Sequence, residues 1–309
     1  MRVLITGAHG FVGQHVVPEL QDEHELVTPT SKELNLLNGS RAAEFVLRSN
    51  VDAIVHLAAT CGGIGINKDN PGKFIYENLQ MGVNVLEIAR FARINKVVNL
   101  GTVCAYPKFT NVPFVESDLW SGYPEETNAP YGIAKKTIME MARAYHVQYG
   151  LEVTNLLPAN MYGEFDHFDL YSSHVIPALI AKFENPDQSP NGVPSPTCVN
   201  LWGSGKASRE FLHASDLARA ISISLNKNTG PEPINIGTGQ EISIRDLAEL
   251  VKKVGGYDAE ILFDNRNPDG QPRRSLDITR ASNVLRWEPR VSLEEGLSKT
   301  IEWYRAHGK

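Results

Sequence analysis

The chain has 309 residues, 42% apolar and 21% charged, with a formal net charge of −6. That length exceeds one small core and points to one large domain with an added lobe, or to two domains. The acidic balance argues against a general nucleic-acid binder or a membrane-surface protein. Three scattered cysteines (Cys61, Cys104, Cys198) show no CxxC and no zinc spacing, so neither disulfides nor a structural metal is expected, which fits a reducing cytoplasm. The chain opens directly on a strand and has no apolar run of membrane-spanning length, so neither a leader nor a membrane anchor is expected.

Val3 to Thr6 read as a buried strand. It is followed at once by Gly7-Ala8-His9-Gly10-Phe11-Val12-Gly13 and a helix from Gln14 to Leu20. GxxGxxG between a strand and a helix is the setting of a dinucleotide site. The first glycine permits the turn, the second lets backbone N–H groups approach a pyrophosphate, and the third lets helix and strand pack closely. Gly7, His9, Gly10, Phe11, Val12 and Gly13 are therefore candidate cofactor contacts. Glu25 to Val27 form the next strand. NAD sites usually carry a carboxylate at its end, but here Thr28-Pro29-Thr30-Ser31-Lys32 precede the first acid, Glu33. The reading leans to NADP(H), with NAD(H) as the alternative. Ser31 and Lys32 are candidate 2′-phosphate ligands, and His9 is a weaker one.

Ser40 to Ser49 read as a helix. Ala53 to Ala59 read as a strand whose end, Leu57, Ala58 and Ala59, is small enough to admit a cofactor. Cys61-Gly62-Gly63-Ile64-Gly65 reads as a glycine-rich loop bordering the substrate, with Cys61 structural or incidental. Tyr76 to Ala92 form an amphipathic helix with apolar residues at Leu79, Val83, Leu86, Ile88 and Ala89. Val97 to Leu100 are the kind of run that fills a strand buried on both faces. They deliver Thr102 and Cys104 to the strand's C-terminal end, where open α/β sheets bind ligands. On a helix from Tyr131 to Tyr149, Tyr131 and Lys135 share one face. A Tyr–Lys pair opposite a Ser or Thr can handle a carbonyl: the lysine charge lowers the phenol pKa and the hydroxyl holds the carbonyl oxygen. Val153 to Leu157, ending before Pro158-Ala159-Asn160, continue a pattern that predicts a right-handed, doubly wound parallel Rossmann sheet.

Beyond residue 164 the composition changes. An aromatic and acidic stretch reaches His174 and a short helix, and a Pro/Ser/Asn loop follows from Asn185 to Pro196. Val199 to Trp202 and Arg209 to His213 lead back to a helix starting at Ser215 or Asp216, and Ile234 to Gly237 form another strand. A helix (Ile244 to Val254), a strand (Glu260 to Phe263), an arginine-rich turn (Pro272 to Arg274) and a terminal helix (Leu293 to His307) predict a smaller α/β lobe. The expected division assigns 1–165 and 205–238 to the dinucleotide domain, and 166–204 and 239–309 to a discontinuous substrate lobe.

Together these residues resemble the extended short-chain dehydrogenase/reductases, and within them the GDP-L-fucose synthase family of epimerase-reductases. The phrases that carry the resemblance are ELNLLN (33–38), GGI (62–64), FIYENL (74–79), CAYPK (104–108), NAPYGIAK (128–135) and SHVIPAL (173–179). WGSGKASREFLH (202–213), INIGTG (234–239) and PDGQPRRSLDITR (268–280) complete it. The resemblance implies that Thr102, Tyr131 and Lys135 are the carbonyl-handling triad and that Cys104 and His174 are an acid/base pair for epimerisation. It puts Pro158 and His174 on the cofactor side, with Lys135 also anchoring the nicotinamide ribose. Asn160, Lys182, Trp202, Arg209 and Arg274 would line a nucleotide-sugar site. It further implies a homodimer through the helices at 76–92 and 131–149. Thr stands at 102 where the family has Ser, His9 and Ser31 stand where arginines are frequent, and Arg274 stands where lysine is usual. A dehydratase is disfavoured because Val103 and Cys104, rather than an acidic pair, follow Thr102. A 4-epimerase with bound NAD, or a reductase of another keto-sugar nucleotide, are the alternatives.

Overall fold

Strands rich in β-branched residues need cover on both faces, and this chain supplies it by alternating strands with helices. The computed structural model describes residues 1–170, 172–185, 198–264 and 271–308. The first half contains β1 (Arg2–Thr6), α1 (Phe11–Leu20), β2 (Glu25–Val27), α2 (Gly39–Ser49), β3 (Ala53–His56), α3 (Ile64–Asp69), α4 (Pro71–Phe91), β4 (Lys96–Leu100), α5 (Ala129–Tyr149) and β5 (Glu152–Pro158). The second half contains β6 (Asn160–Tyr162), α6 (Val175–Glu184), β7 (Cys198–Trp202), β8 (Ser208–His213), α7 (Ala214–Leu225), β9 (Ile234–Ile236), β10 (Glu241–Ser243), α8 (Ile244–Gly255), β11 (Glu260–Asp264) and α9 (Leu293–His307).

The Rossmann sheet forms in the order β2-β1-β3-β4-β5-β9, with every pairing parallel. One face packs on Val16, Leu20, Leu217 and Ile221 of α1 and α7. The other packs on Val46, Val85, Leu86, Ile138 and Ala142 of α2, α4 and α5. A smaller lobe holds the three-stranded sheet β10-β8-β6 and the parallel pair β11-β7. Its core gathers Ile176, Ile180, Phe211, Val251 and Ile301. Leu276, Ala281, Leu285 and Trp287 then return to the core of the first sheet. Trp287 Nε1 donates to the carbonyl of Asp216 at 3.0 Å, and the Asp216 carboxylate accepts the N–H of Val291 at 2.9 Å. The chain thus crosses between lobes more than once. Among the described residues no helix is long and apolar enough to cross a membrane.

Three boundaries differ from the sequence reading. The strand expected over 53–59 stops at His56, because Leu57 and Ala58 turn to donate to the carbonyl and hydroxyl of Thr6 at 3.1 and 3.3 Å. The glycine loop at 61–65 runs into helix α3. Helix α4 starts at Pro71, five residues before Tyr76, because proline is well suited to the first helical turn. The segment 186–197, which holds nearly all of the expected Pro/Ser/Asn loop, lies outside the described residues.

His56 ends β3 fully buried, with Nδ1 2.8 Å from Thr6 Oγ1. That hydroxyl also accepts the Ala58 N–H at 3.3 Å. Burial, with the Lys135 charge adding, holds the His56 pKa down at about 3. An unfolded histidine titrates near ~6.5. Between those values the unfolded chain binds a proton that the folded chain refuses, so this group costs stability as pH falls, by up to ~1.4 kcal/mol per pH unit. Urea midpoints for wild type and His56→Asn at pH 7 and pH 5 should therefore differ, with the wild type losing more on acidification. Equal losses would refute the assignment.

Candidate active site

The C-terminal ends of β1, β3, β4 and β5 converge on one side of the sheet. At the first of them the turn is sterically committed to glycine. Gly7 has φ +75°, and a Cβ there would lie 2.8 Å from the Ala58 nitrogen. A Cβ on Gly13 would run into the carbonyl oxygens of Gly7 and Ala8. Gly10 is the N-cap of α1, whose first turn, including Phe11, Val12 and Gly13, carries no acid. The positive end of the helix and its free N–H groups are thus suited to an anion. Leu57, Ala58 and Ala59 run past this turn half-buried, and Pro158 ends β5 fully enclosed. His9 Nε2 donates to the Thr28 carbonyl at 3.0 Å, tying the glycine turn to the end of β2. Ser31 and Lys32 follow, exposed. Glu33 is held away: its carboxylate accepts the N–H and the hydroxyl of Thr30, both at 2.8 Å. Gly13→Ala is expected to cost about 1–3 kcal/mol through overpacking. It should also weaken dinucleotide binding, read as a smaller rise in Tm on adding NADPH than in the wild type. An unchanged rise would contradict the turn's role.

After β4, Thr102 is buried and its Oγ1 accepts the Cys104 N–H at 3.2 Å, which shapes the short turn Val103–Ala105. The Tyr131 phenol lies close enough to Thr102 for that side chain to oppose the rise in its pKa. Lys135, one turn further along α5, is buried, with Nζ donating to the Leu100 carbonyl at 3.1 Å and lying 6.0 Å from the Tyr131 ring centroid. The expected lowering of the phenol pKa by Lys135 is not found. Burial raises the Tyr131 pKa well above 10, with Cys61 and Cys104 adding and Thr102 opposing. The amine is turned to a carbonyl rather than to the phenol oxygen. Burial brings Lys135 itself down to about 8.

Cys104 is half-buried beside this pair, and Arg274 Nη1 donates to its Sγ at 3.4 Å. Arg274 is buried and aimed by Gln271, whose Oε1 accepts from Nε and Nη2 at 3.1 Å each. Gln271 is in turn held by donating to the Lys108 carbonyl at 2.9 Å. A permanent positive charge therefore sits against the sulfur. Cys61, expected to be structural, lies near Lys135 and Tyr131; burial pushes its thiol pKa up, and the Lys135 charge opposes this. His174 occupies the N-cap position of α6 without a capping side-chain bond, and burial followed by the His167 charge lowers its pKa. Both Cys61 and His174 remain open to solvent.

The other expected nucleotide-sugar residues belong to β6, α6, β7 and β8. Asn160 Nδ2 donates to the Glu210 carbonyl at 2.8 Å, so its amide nitrogen fixes β6 to β8. Lys182 Nζ donates to the Asn200 carbonyl at 2.8 Å, and burial lowers its pKa to about 8. Arg209 Nη1 donates to the Ser208 carbonyl at 2.7 Å. Glu210 is buried away from it, accepting backbone N–H groups of Thr238, Gly239 and Leu276. Trp202 ends β7 with 55% of its surface exposed.

The signature of the NAD dependent epimerase/dehydratase family matches residues 3–237. The chain belongs to that family. It is similar to the GDP-L-fucose synthase of Escherichia coli (strain K12), 39% identical over 98% of this chain and 96% of the relative. Among solved structures it resembles a GDP-6-OMe-4-keto-L-xylo-heptose reductase from Campylobacter jejuni, with TM-score 0.90, 30% identity and coverage of 99% and 97%. It also resembles a GDP-mannoheptose C4 reductase from the same organism with NADP bound, with TM-score 0.87, 29% identity and 98% coverage of both chains.

For a member of the NAD dependent epimerase/dehydratase family, this arrangement can do two things. The Thr102 hydroxyl and the Tyr131 phenol can together receive a carbonyl oxygen, and beside them the Cys104 thiol has the Arg274 cation against its sulfur. Sequence reasoning placed Thr102, Tyr131 and Lys135 together through strand ends and helical spacing. It missed Gln271, because an uncharged side chain in an arginine-rich turn carries no motif. It set the 61–65 loop beside the substrate but read Cys61 itself as structural or incidental, because nothing local says which way a loop thiol faces.

Proposed function

We propose that the protein is an NADP(H)-dependent epimerase-reductase converting GDP-4-keto-6-deoxy-D-mannose to GDP-L-fucose, by epimerisation at C3 and C5 and then reduction at C4. The observation that carries this reading is a carbonyl station (Thr102, Tyr131, Lys135) with the Cys104 thiol beside it and the Arg274 cation on the sulfur, to which the resemblance adds His174 as the acid. Similarity to the Escherichia coli GDP-L-fucose synthase over nearly the whole chain supports the substrate. The NADP held by the similar C4 reductase supports the cofactor. The residues present fit that group: the glycine turn can take a diphosphate, and with Glu33 held on Thr30 the end of β2 offers Ser31, Lys32 and His9 to a 2′-phosphate. When bound, the nicotinamide supplies a hydride for C4.

The chain's own groups then divide the work. Thr102 and Tyr131 hydrogen-bond the C4 oxygen, each donor stabilising a developing enolate by about 3 kcal/mol. The C4 ketone acidifies the protons on both C3 and C5. Cys104 removes them, with the Arg274 charge beside the sulfur, and His174 returns a proton from the opposite face. Tyr131 gives its proton to the C4 oxygen during reduction, and Lys135 anchors the nicotinamide ribose. Lys182 and Arg209 hold the diphosphate, and Asn160 and Trp202 border the sugar nucleotide. The expected division, 1–165 and 205–238 against the rest, holds in this reading except that β6 and β8 join the smaller lobe's sheet and the 276–287 segment returns to the core of the first sheet. The enzyme is a cytoplasmic homodimer that packs the outer faces of α4 and α5, where Tyr76, Phe91, Val147 and Tyr149 are exposed.

A second reading, C4 reduction of another GDP-keto sugar without epimerisation, is favoured by the likeness to the heptose reductase. NMR of the product formed from GDP-4-keto-6-deoxy-mannose with NADPH in heavy water separates the two. Deuterium at C3 and C5 of a fucose product supports the epimerase-reductase, whereas reduction without deuterium supports the second reading. An isomerised 4-hydroxyl with no NADPH consumed would instead indicate a 4-epimerase with bound NAD.

A further inference from the structure

The arginine that meets the Cys104 sulfur is held by the chain's own residues from two sides. Its backbone is pinned first. The Phe114 N–H donates to the Ser275 carbonyl at 2.8 Å, the Asp277 N–H to the Phe114 carbonyl at 2.9 Å, and the Ser208 N–H of β8 to the Pro272 carbonyl at 2.9 Å. These bonds place the backbone of Arg274 but leave its long side chain free to turn. Gln271 removes that freedom. Its Oε1 accepts from Nε and Nη2 of Arg274, its Nε2 donates to the Lys108 carbonyl, and the side chain is 6% exposed. Nη1 is then left directed at Sγ of Cys104, 3.4 Å away.

A sulfur is an unusual target for a guanidinium. A neutral thiol is a weak acceptor, whereas a thiolate can take a charge-assisted bond. The neighbouring Arg273 makes the ordinary choice and pairs with the Glu241 carboxylate. Among the described residues no carboxylate pairs with Arg274, whose bonds go to Gln271 and Cys104. An amide also suits this task better than an acid, because it orients the cation without cancelling its charge.

We propose that Gln271 is a positioning residue for the epimerisation base: it keeps the Arg274 charge on the Cys104 sulfur, as counter-ion to the thiolate, and withholds it from the substrate's diphosphate. The assignment rests on the reading of Cys104 as the base. It takes Arg274 out of the nucleotide-sugar contacts that the resemblance implies for it.

The test is the rate at which iodoacetamide alkylates Cys104 at pH 7 in the NADP-loaded enzyme, with peptide mapping to separate Cys104 from Cys61 and Cys198. The reaction consumes the thiolate, forming an S–C bond and expelling iodide. Arg274→Gln should slow it on the order of tenfold: the thiolate fraction falls about a hundredfold, and the more basic thiolate that remains is about tenfold more reactive. Gln271→Met, which keeps the volume and loses the hydrogen bonds, should slow it about threefold. The same variant should bind GDP in calorimetry as the wild type does, and it should have no further effect in the Arg274→Gln background. Gln271→Asn carries the same amide on a shorter arm and should fall between; it decides the question by the same comparisons if Gln271→Met does not fold. Faster alkylation in either variant would make Gln271 a packing residue that keeps reagent out, and would overturn the proposal. So would equal slowing with and without Arg274. Unchanged alkylation with weakened GDP binding would give Arg274 to the diphosphate and overturn it as well. Slowed alkylation with unchanged deuterium incorporation at C3 and C5 would instead keep the positioning role and remove Cys104 as the base.

Discussion

Tyr131→Phe is expected to lower kcat for NADPH oxidation by about 10²–10⁴-fold, with the fold and NADPH binding retained. The substitution removes one oxygen from a ring that keeps its place on α5. Two observations make the loss large. The phenol lies beside Thr102, the hydroxyl set to share the C4 oxygen with it, and its pKa lies well above 10, so at neutral pH it is a fully protonated donor. Lys135 does not stand in for it, because its Nζ is directed to the Leu100 carbonyl. Steady-state rates with the keto sugar, alongside the NADPH-induced rise in Tm, check this. A loss below tenfold with cofactor binding intact would mean that another group protonates C4.

Cys104→Ser is expected to cut deuterium incorporation at C3 and C5 by about 10²-fold or more, since an alcohol is a far poorer source of an anionic base than a thiol. The reverse half-reaction, NADP⁺ reduction by GDP-L-fucose, needs no epimerisation and should stay within about threefold of the wild type, because exchanging the thiol for a hydroxyl leaves the Thr102–Tyr131 pair untouched in this reading. Arg274→Gln should reproduce the epimerisation defect in milder form, as it removes the charge that lies 3.4 Å from the sulfur. Unchanged deuterium incorporation in Cys104→Ser would end its role as the base. Equal loss in both half-reactions would make the residue a packing element of the Val103–Ala105 turn.

Local signals were enough for much of this molecule. β1, the glycine turn and α1 are contiguous in sequence, so their steric demands can be read there, and Gly7 and Gly13 meet them as the turn requires. Tyr131 and Lys135 are one helical turn apart, so periodicity alone puts them on the same side of α5. The capping pairs Ser243–Asp246 and Ser292–Glu295 mark the starts of α8 and α9 in the same way. Resemblance extended that local reading to Cys104 and His174, whose own residue types carry no geometry.

What remained hidden depends on chain crossings between the lobes. Arg274 reaches the thiol of Cys104 from 170 residues away, and only the return of the 271–287 segment to the first sheet makes them neighbours. Gln271 aims that arginine, and no spacing rule links it to Lys108. The 61–65 loop meets the segment before His174 because the Gly63 N–H bonds the Ser172 carbonyl. The direction of the Tyr131 shift was also a tertiary matter: helical spacing brings a lysine near a phenol, but burial and the Leu100 carbonyl decide what its charge does there. Periodic and steric constraints act over a few residues and leave their mark in the sequence. Desolvation and long-range pairing depend on the whole packed chain, so only the tertiary structure decided them.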